Sequence, residues 1–137
     1  MQLPRWLATV VAAVSLACGD DPFVPSLENI AGSYTATTFT TTSGGVTTDQ
    51  LAAGASFTIT LASNGATTGR LFVPGGGQGG GDLDADMTGT WTLVGSTVEF
   101  AQTADTFVRD MPFTASVNRL QGQEMFSNTT IRVTLAK

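Results

Sequence analysis

From Asp82 to Leu93 the chain alternates without a fault, and that period of two is the feature that most constrains its fold. Leu83, Ala85, Met87, Gly89, Trp91 and Leu93 fall on one side, and Asp82, Asp84, Asp86, Thr88, Thr90 and Thr92 on the other. Successive side chains of a strand point to opposite faces, so this segment separates dry from wet residues only as β-structure. Ser56 to Leu61 repeats the pattern with Phe57, Ile59 and Leu61 as the dry set, and Thr130 to Leu135 does so with Ile131, Val133 and Leu135. One dry and one wet face is the mark of antiparallel sheet. Composition points the same way: Thr occurs 22 times after Cys18 and Lys once, and Thr, Val, Ile and Phe suit a pleated, half-buried surface. Good helix formers are scarce outside Asp49 to Ala53. An all-β domain is expected.

Turn signals divide the apolar runs. Ser63-Asn64-Gly65 and Gly95-Ser96 read as tight hairpin turns, and Asn118 and Ser127-Asn128 punctuate the last third. The strands this implies cover 31–41, 55–62, 67–74, 83–93, 97–103, 109–117, 120–126 and 129–136. Eight strands in meander order suit an eight-stranded antiparallel up-and-down β-barrel, whose closure removes the exposed edges of an open sheet. Pro112 deletes a ladder donor inside the sixth run, so a bulge or a late strand start is expected there. Two longer connections interrupt the rhythm: Thr42 to Gly54, with room for a helical turn, and the glycine-rich Pro74 to Gly81.

The start of the chain bears on location. Arg5 is followed by the uncharged apolar run Leu7 to Leu16 and then by Ser15-Leu16-Ala17-Cys18. Charge, apolar segment and small-residue cut site, in that order, describe a secretory signal. The run is about half the ~20 residues that span a bilayer. Ala17-Cys18 resembles the lipobox of bacterial lipoproteins, in which the cysteine is acylated before cleavage; an ordinary signal-peptidase cut is the alternative. On this reading 1–17 is a signal peptide, 18–29 holds the lipidated Cys18 and a tether, and 30–137 is the barrel domain. Cys18 is the sole cysteine, so no internal disulfide can form. The implied partner is a membrane, reached through the acyl anchor, since each buried methylene contributes about 0.8 kcal/mol. Gly19 after the cysteine resembles the sorting pattern of outer-membrane lipoproteins. The expected address is therefore the bacterial cell envelope at the outer membrane, with secretion as the alternative.

Charge and chemistry exclude several classes. After Cys18 five basic residues face eleven acidic ones, which is no footprint for nucleic acid. With no histidine in the chain, serine triads and imidazole general bases are out, and common zinc sites lack a main ligand. Asp82, Asp84 and Asp86 offer carboxylate oxygens of the kind calcium takes, but lie on one wet strand face where they mainly repel. The glycines of 75–81 lead into that acidic strand, not into the helix a phosphate cradle needs. Glu99 and Glu124 have no tuning neighbour; by parity with Leu120 and Phe126, Glu124 is an inward candidate with Arg109 as its partner, and exposure through local twist is the plainer reading. Catalysis, cofactor and metal are not expected.

Gly32-Ser33-Tyr34 opens the first strand where lipocalins carry Gly-x-Trp, and Arg132 on the last strand is similar to the arginine that stacks on that aromatic ring. With the long first connection in the place of a lid, the chain resembles the lipocalin-like group of the calycin superfamily over residues 28–137. The resemblance implies a barrel that binds a small apolar ligand beneath the Thr42–Gly54 lid. Phe57, Ile59, Leu71, Met87, Trp91, Phe100 and Phe113 are then the lining residues, with Leu61, Val73, Leu93, Val98, Val117, Ile131, Val133 and Leu135 also turned inward. An eight-stranded barrel can instead be filled by its own side chains. The number of large apolar residues favours the filled interior, which would leave an envelope structural or protein-interaction module without a ligand; the protein partner is not specified.

Overall fold

The computed structural model describes residues 23–137, and the alternation read above closes into a cylinder. The elements are α1 (Leu27–Ile30), β1 (Gly32–Ser43), β2 (Val46–Asp49), β3 (Ser56–Leu61), β4 (Ala66–Val73), β5 (Leu83–Asp86), β6 (Gly89–Val94), β7 (Thr97–Gln102), α2 (Phe107–Asp110), β8 (Phe113–Ser116), β9 (Arg119–Phe126) and β10 (Thr129–Ala136). A short 3₁₀ turn, Gln78–Gly80, lies in the glycine-rich connection. Each strand pairs with its chain neighbour in antiparallel fashion, and β1 pairs with β10 from Thr35–Ala136 to Ser43–Thr129. The result is a closed eight-stranded up-and-down barrel. The proposed signal peptide and Cys18 lie outside the described residues.

Ten strands fill eight places in the wall because two places are shared. β2 and β3 both run along one flank of β1, through Thr40–Asp49 and Gly32–Leu61 respectively. β5 and β6 both run along β4, and the register is the same on either side of the break: Arg70 faces Asp86, and Thr67 faces Gly89. The expected strand 83–93 is thus one line of chain, interrupted at Met87–Thr88. Gly69 of β4 lies opposite the break, where the Met87 amide still donates to its carbonyl at 3.0 Å. On its other side, with φ +143°, a Cβ would stand 2.2 Å from the Thr58 carbonyl, so β3 and β4 approach there as only glycine allows. The alternation survives: Met87 and Trp91 are buried while the facing Asp and Thr residues are exposed.

Three expectations are corrected. Thr42 to Gly54 is not a free lid: β1 continues to Ser43, turns at Gly44–Gly45, and β2 returns as wall before a tight turn at Gln50–Gly54. The sixth strand begins at Phe113, directly after Pro112, and residues 107–110 form α2 instead. Val117, expected inward, is 64% exposed, because it leads into the turn at Asn118, whose φ is +55°. At the start of the described residues, α1 begins within the 18–29 segment. Ser26 caps α1 through a capping box with Asn29, and Phe23 packs on the barrel core.

Antiparallel pairing also orients the cylinder. The ends of β1, β4, β7 and β9 meet the starts of β3, β5 and β10 at one rim, called here the upper rim. Residues 103–111 link β7 to β8; Val108 of α2 and Met111 just after it are buried in the core, and the Met111 methyl lies against Gly122 of β9, 3.1 Å from where a Cβ there would stand. Together they plug the wall where β8 is short: only Thr97–Thr114 and Val98–Phe113 join it to β7.

Candidate functional site

All seven residues expected to line the interior are buried in one cluster: Phe57, Ile59, Leu71, Met87, Trp91, Phe100 and Phe113. They pack against one another and against Tyr34, Phe39 and Leu135. Phe100 and Phe113 meet edge to face with centroids 5.3 Å apart, a favoured aromatic geometry. The Trp91 indole donates to the Ala62 carbonyl at 2.8 Å, so its polar atom is satisfied. The middle of the barrel is thus occupied by side chains.

Open volume lies at the upper rim. A cup of about 230 Å³ is bounded by Thr41, Gln50, Val73, Leu83, Phe107 and Ile131, with Pro74 to Gly76 on its lip. The Phe107 ring leans on Phe39, centroids 5.5 Å apart, and so forms part of the floor. This volume is below the ~300–1,000 Å³ usual for drug-sized ligands, and suits a short apolar group. A larger concavity, about 470 Å³, lies on the outer wall where β8 starts late. Its lining is largely polar, with Gln121, Gln123 and Arg132, and of the residues expected inside the barrel Val133 alone borders it. Size alone does not make it the better site: polar side chains on an open wall keep their water.

Gly32 and Tyr34 stand at the start of β1, but Arg132 does not meet them. Tyr34 is buried, and its hydroxyl donates to the Ile30 carbonyl at 2.6 Å. Burial pushes its phenol up to about 12. Arg132, expected to stack on this ring, instead lies on the exposed face of β10 with Nε donating to Gln123 at 3.0 Å. Strand parity decides this: Val133 and Leu135 turn inward, so Arg132 turns out. The cation over Tyr34 is Lys137, with Nζ 5.6 Å from the ring centroid. It also donates to the carbonyls of Asn29 and Ala31 at 2.7 and 2.8 Å, which ties α1 to the lower rim. Gly32 stands beneath that lysine, where a Cβ would meet its side chain at 2.9 Å.

The remaining polar candidates are held apart. Arg70 grips Asp84 with two bonds of 2.7 and 2.6 Å, and its guanidinium holds that carboxyl below the usual range. Asp82 accepts from the Gly75 amide at 3.0 Å, anchoring the glycine-rich connection. Among the described residues no three carboxylate, thiol or imidazole side chains converge on a point. Glu124 is half-buried opposite Ile131, and Arg109 does not reach it: that arginine pairs with Asp105 at 2.6 Å. Glu99 is exposed on the outer wall. The Asn128 of the acceptor-like Asn-Thr-Thr is a turn residue with φ +67°.

Three polar side chains are buried among the described residues: Thr67, Gln102 and Thr106. Thr67 donates to the Met87 carbonyl at 2.7 Å. Both amide atoms of Gln102 and the hydroxyl of Thr106 have no partner. Sequence reading passed over these two, although Gln102 continues the inward parity of Val98 and Phe100. A buried group left unsatisfied costs about 1–3 kcal/mol.

The chain matches no family model, no curated protein and no solved structure.

Proposed function

We propose that this chain is an exported, lipid-anchored, lipocalin-like barrel that binds and does not catalyse, taking a small apolar group into the cup at its upper rim. The cup carries the proposal: Val73, Leu83, Phe107 and Ile131 present apolar surface around a volume that the packed interior leaves unfilled. Burying the apolar surface of such a group is favourable at roughly 25 cal/mol per Å². The anchor rests on Ala17-Cys18 in the sequence.

A second reading, an envelope module that contacts a protein, draws on the filled barrel and on the lower rim. There Val94 and Val117 stand exposed on neighbouring turns that the Ala115 amide links to the Ser96 carbonyl at 2.8 Å.

Native mass spectrometry of the full-length protein taken from the membranes of an expressing bacterium tests both parts of the first reading. The expected spectrum carries an acyl mass at Cys18 and a small-molecule adduct that disappears in Leu83→Asp. An unadducted mass in every preparation overturns the ligand, and an unmodified Cys18 overturns the anchor.

A further inference from the structure

The rim cup is not apolar all round. Val73, Leu83, Phe107 and Ile131 bound it with hydrocarbon, but Thr41 of β1 and Gln50, just after β2, bound it with polar side chains. Gln50 is held in place: its backbone amide donates to the Phe39 carbonyl and its carbonyl accepts from the Ala55 amide, each at 2.8 Å. Its side-chain Nε2 donates to the Thr41 Oγ1 at 2.7 Å. That bond leaves a definite remainder. The Thr41 hydroxyl, having accepted, keeps a proton to donate, and the Gln50 Oε1 keeps its lone pairs, since neither makes a further side-chain hydrogen bond among the described residues. A donor and an acceptor therefore stand side by side on one edge of the cup. A charge stands in the same row. Thr41 pairs with Ile131 and Ile131 with Glu124, so the three share one face of the sheet. Glu124 is half-buried, and no cation among the described residues pairs with it.

We propose that Thr41 and Gln50 form the polar edge of the binding site, and that they select an amphipathic ligand whose neutral head both donates and accepts, as a primary amide or an alcohol does, over the carboxylate of the same length. This deepens the ligand reading of the cup and rests on it. An amide head completes both hydrogen bonds: its N–H donates to the Gln50 Oε1, and its carbonyl accepts from the Thr41 hydroxyl. A carboxylate only accepts, so it sets an oxygen against the Gln50 Oε1 and brings a second negative charge towards Glu124. A head without polar atoms leaves the edge unpaired, which a site of this kind discriminates against well. Because Thr41 and the backbone already fix the Gln50 amide, docking a head costs little further side-chain freedom. The apolar tail lies along Phe107, Leu83 and Val73.

The full-length protein is titrated at pH 7 with hexanamide, hexanoate and 1-fluorohexane, while the backbone amide of Phe107 and the side-chain amide of Gln50 are followed by NMR. Hexanamide is expected to move both signals and to bind about tenfold more tightly than either competitor, the worth of two ordinary hydrogen bonds. Fluorohexane is expected to move Phe107 alone. In the double variant Thr41→Val, Gln50→Met the preference for hexanamide over fluorohexane disappears while fluorohexane still binds. In Glu124→Gln hexanoate gains about threefold or more, since a like charge is removed, and hexanamide is unchanged. Equal binding of hexanamide and fluorohexane by the wild type, with the Gln50 side chain unmoved, overturns the polar edge and leaves the cup standing, whether or not the double variant folds. Hexanoate that binds as tightly as hexanamide, or gains nothing in Glu124→Gln, overturns the selection against charge. No response at Phe107 to any of the three compounds overturns the cup and the edge together.

Discussion

Tyr34 shows how one side chain links the ends of the barrel to its core. Its hydroxyl satisfies the Ile30 carbonyl, its ring is covered by Lys137, and burial raises its phenol from 10.0 to about 12. A raised acid contributes stability that is complete below the unfolded value and is lost as pH rises through the folded one. Native stability is therefore expected to fall between about pH 10 and 12 in the wild type. Tyr34→Phe should lose about 1 kcal/mol at pH 7, because Ile30 keeps a buried acceptor without its donor, yet show a shallower decline above pH 10. Urea unfolding at pH 7 and pH 11 checks both; an unchanged alkaline slope would assign the decline to other groups. The aromatic at this position was legible from Gly32-Ser33-Tyr34. The identity of its cation was not, because Arg132 against Lys137 turns on which face of β10 meets the core, and on a contact made 103 residues along the chain.

At the scale of elements, alternation located the strands and missed their ends. β10 coincides with the expected 129–136, since three dry residues in strict parity leave no other register. β8 is shorter than expected, because Pro112 supplies no donor and the preceding residues find burial as α2, with Val108 and Met111 inside. The seam this leaves, two residue pairs between β7 and β8, contrasts with the β1–β10 closure that runs from Thr35 to Ser43. Local opening follows local stability. Amide hydrogen exchange in β8 and α2 is expected to proceed about 10–100-fold faster than in β1 and β10, with Met111→Ala widening the gap by removing a plug worth roughly 2–5 kcal/mol. Uniform protection around the barrel would contradict this account of the seam. The lid was misread for a related reason: Val46 to Asp49 are all exposed, so no dry face announced β2, and only pairing with β1 makes it a strand.

For the whole molecule the deciding property is a filled cylinder. Phe113 is fully buried, edge-on to Phe100 and beside the wall position of Gly122. In a close-packed interior Phe113→Ala should cost about 3–5 kcal/mol, since the surroundings collapse only partly into the space. A loss below ~1.5 kcal/mol in chemical denaturation, with cooperativity kept, would mean that the middle of the barrel is already hollow and that ligand space extends below the cup.

The all-β class and, β2 and Val117 apart, the strands and their inward parity were determined by the sequence alone, because a period of two follows from backbone geometry within a few residues. Closure through β1 and β10, the break at Met87–Thr88, the plug of α2 and the orphaned Gln102 and Thr106 were decided only in three dimensions. Each depends on residues distant in the chain being forced to share one interior, where volume is finite and a polar atom must find a partner or go without.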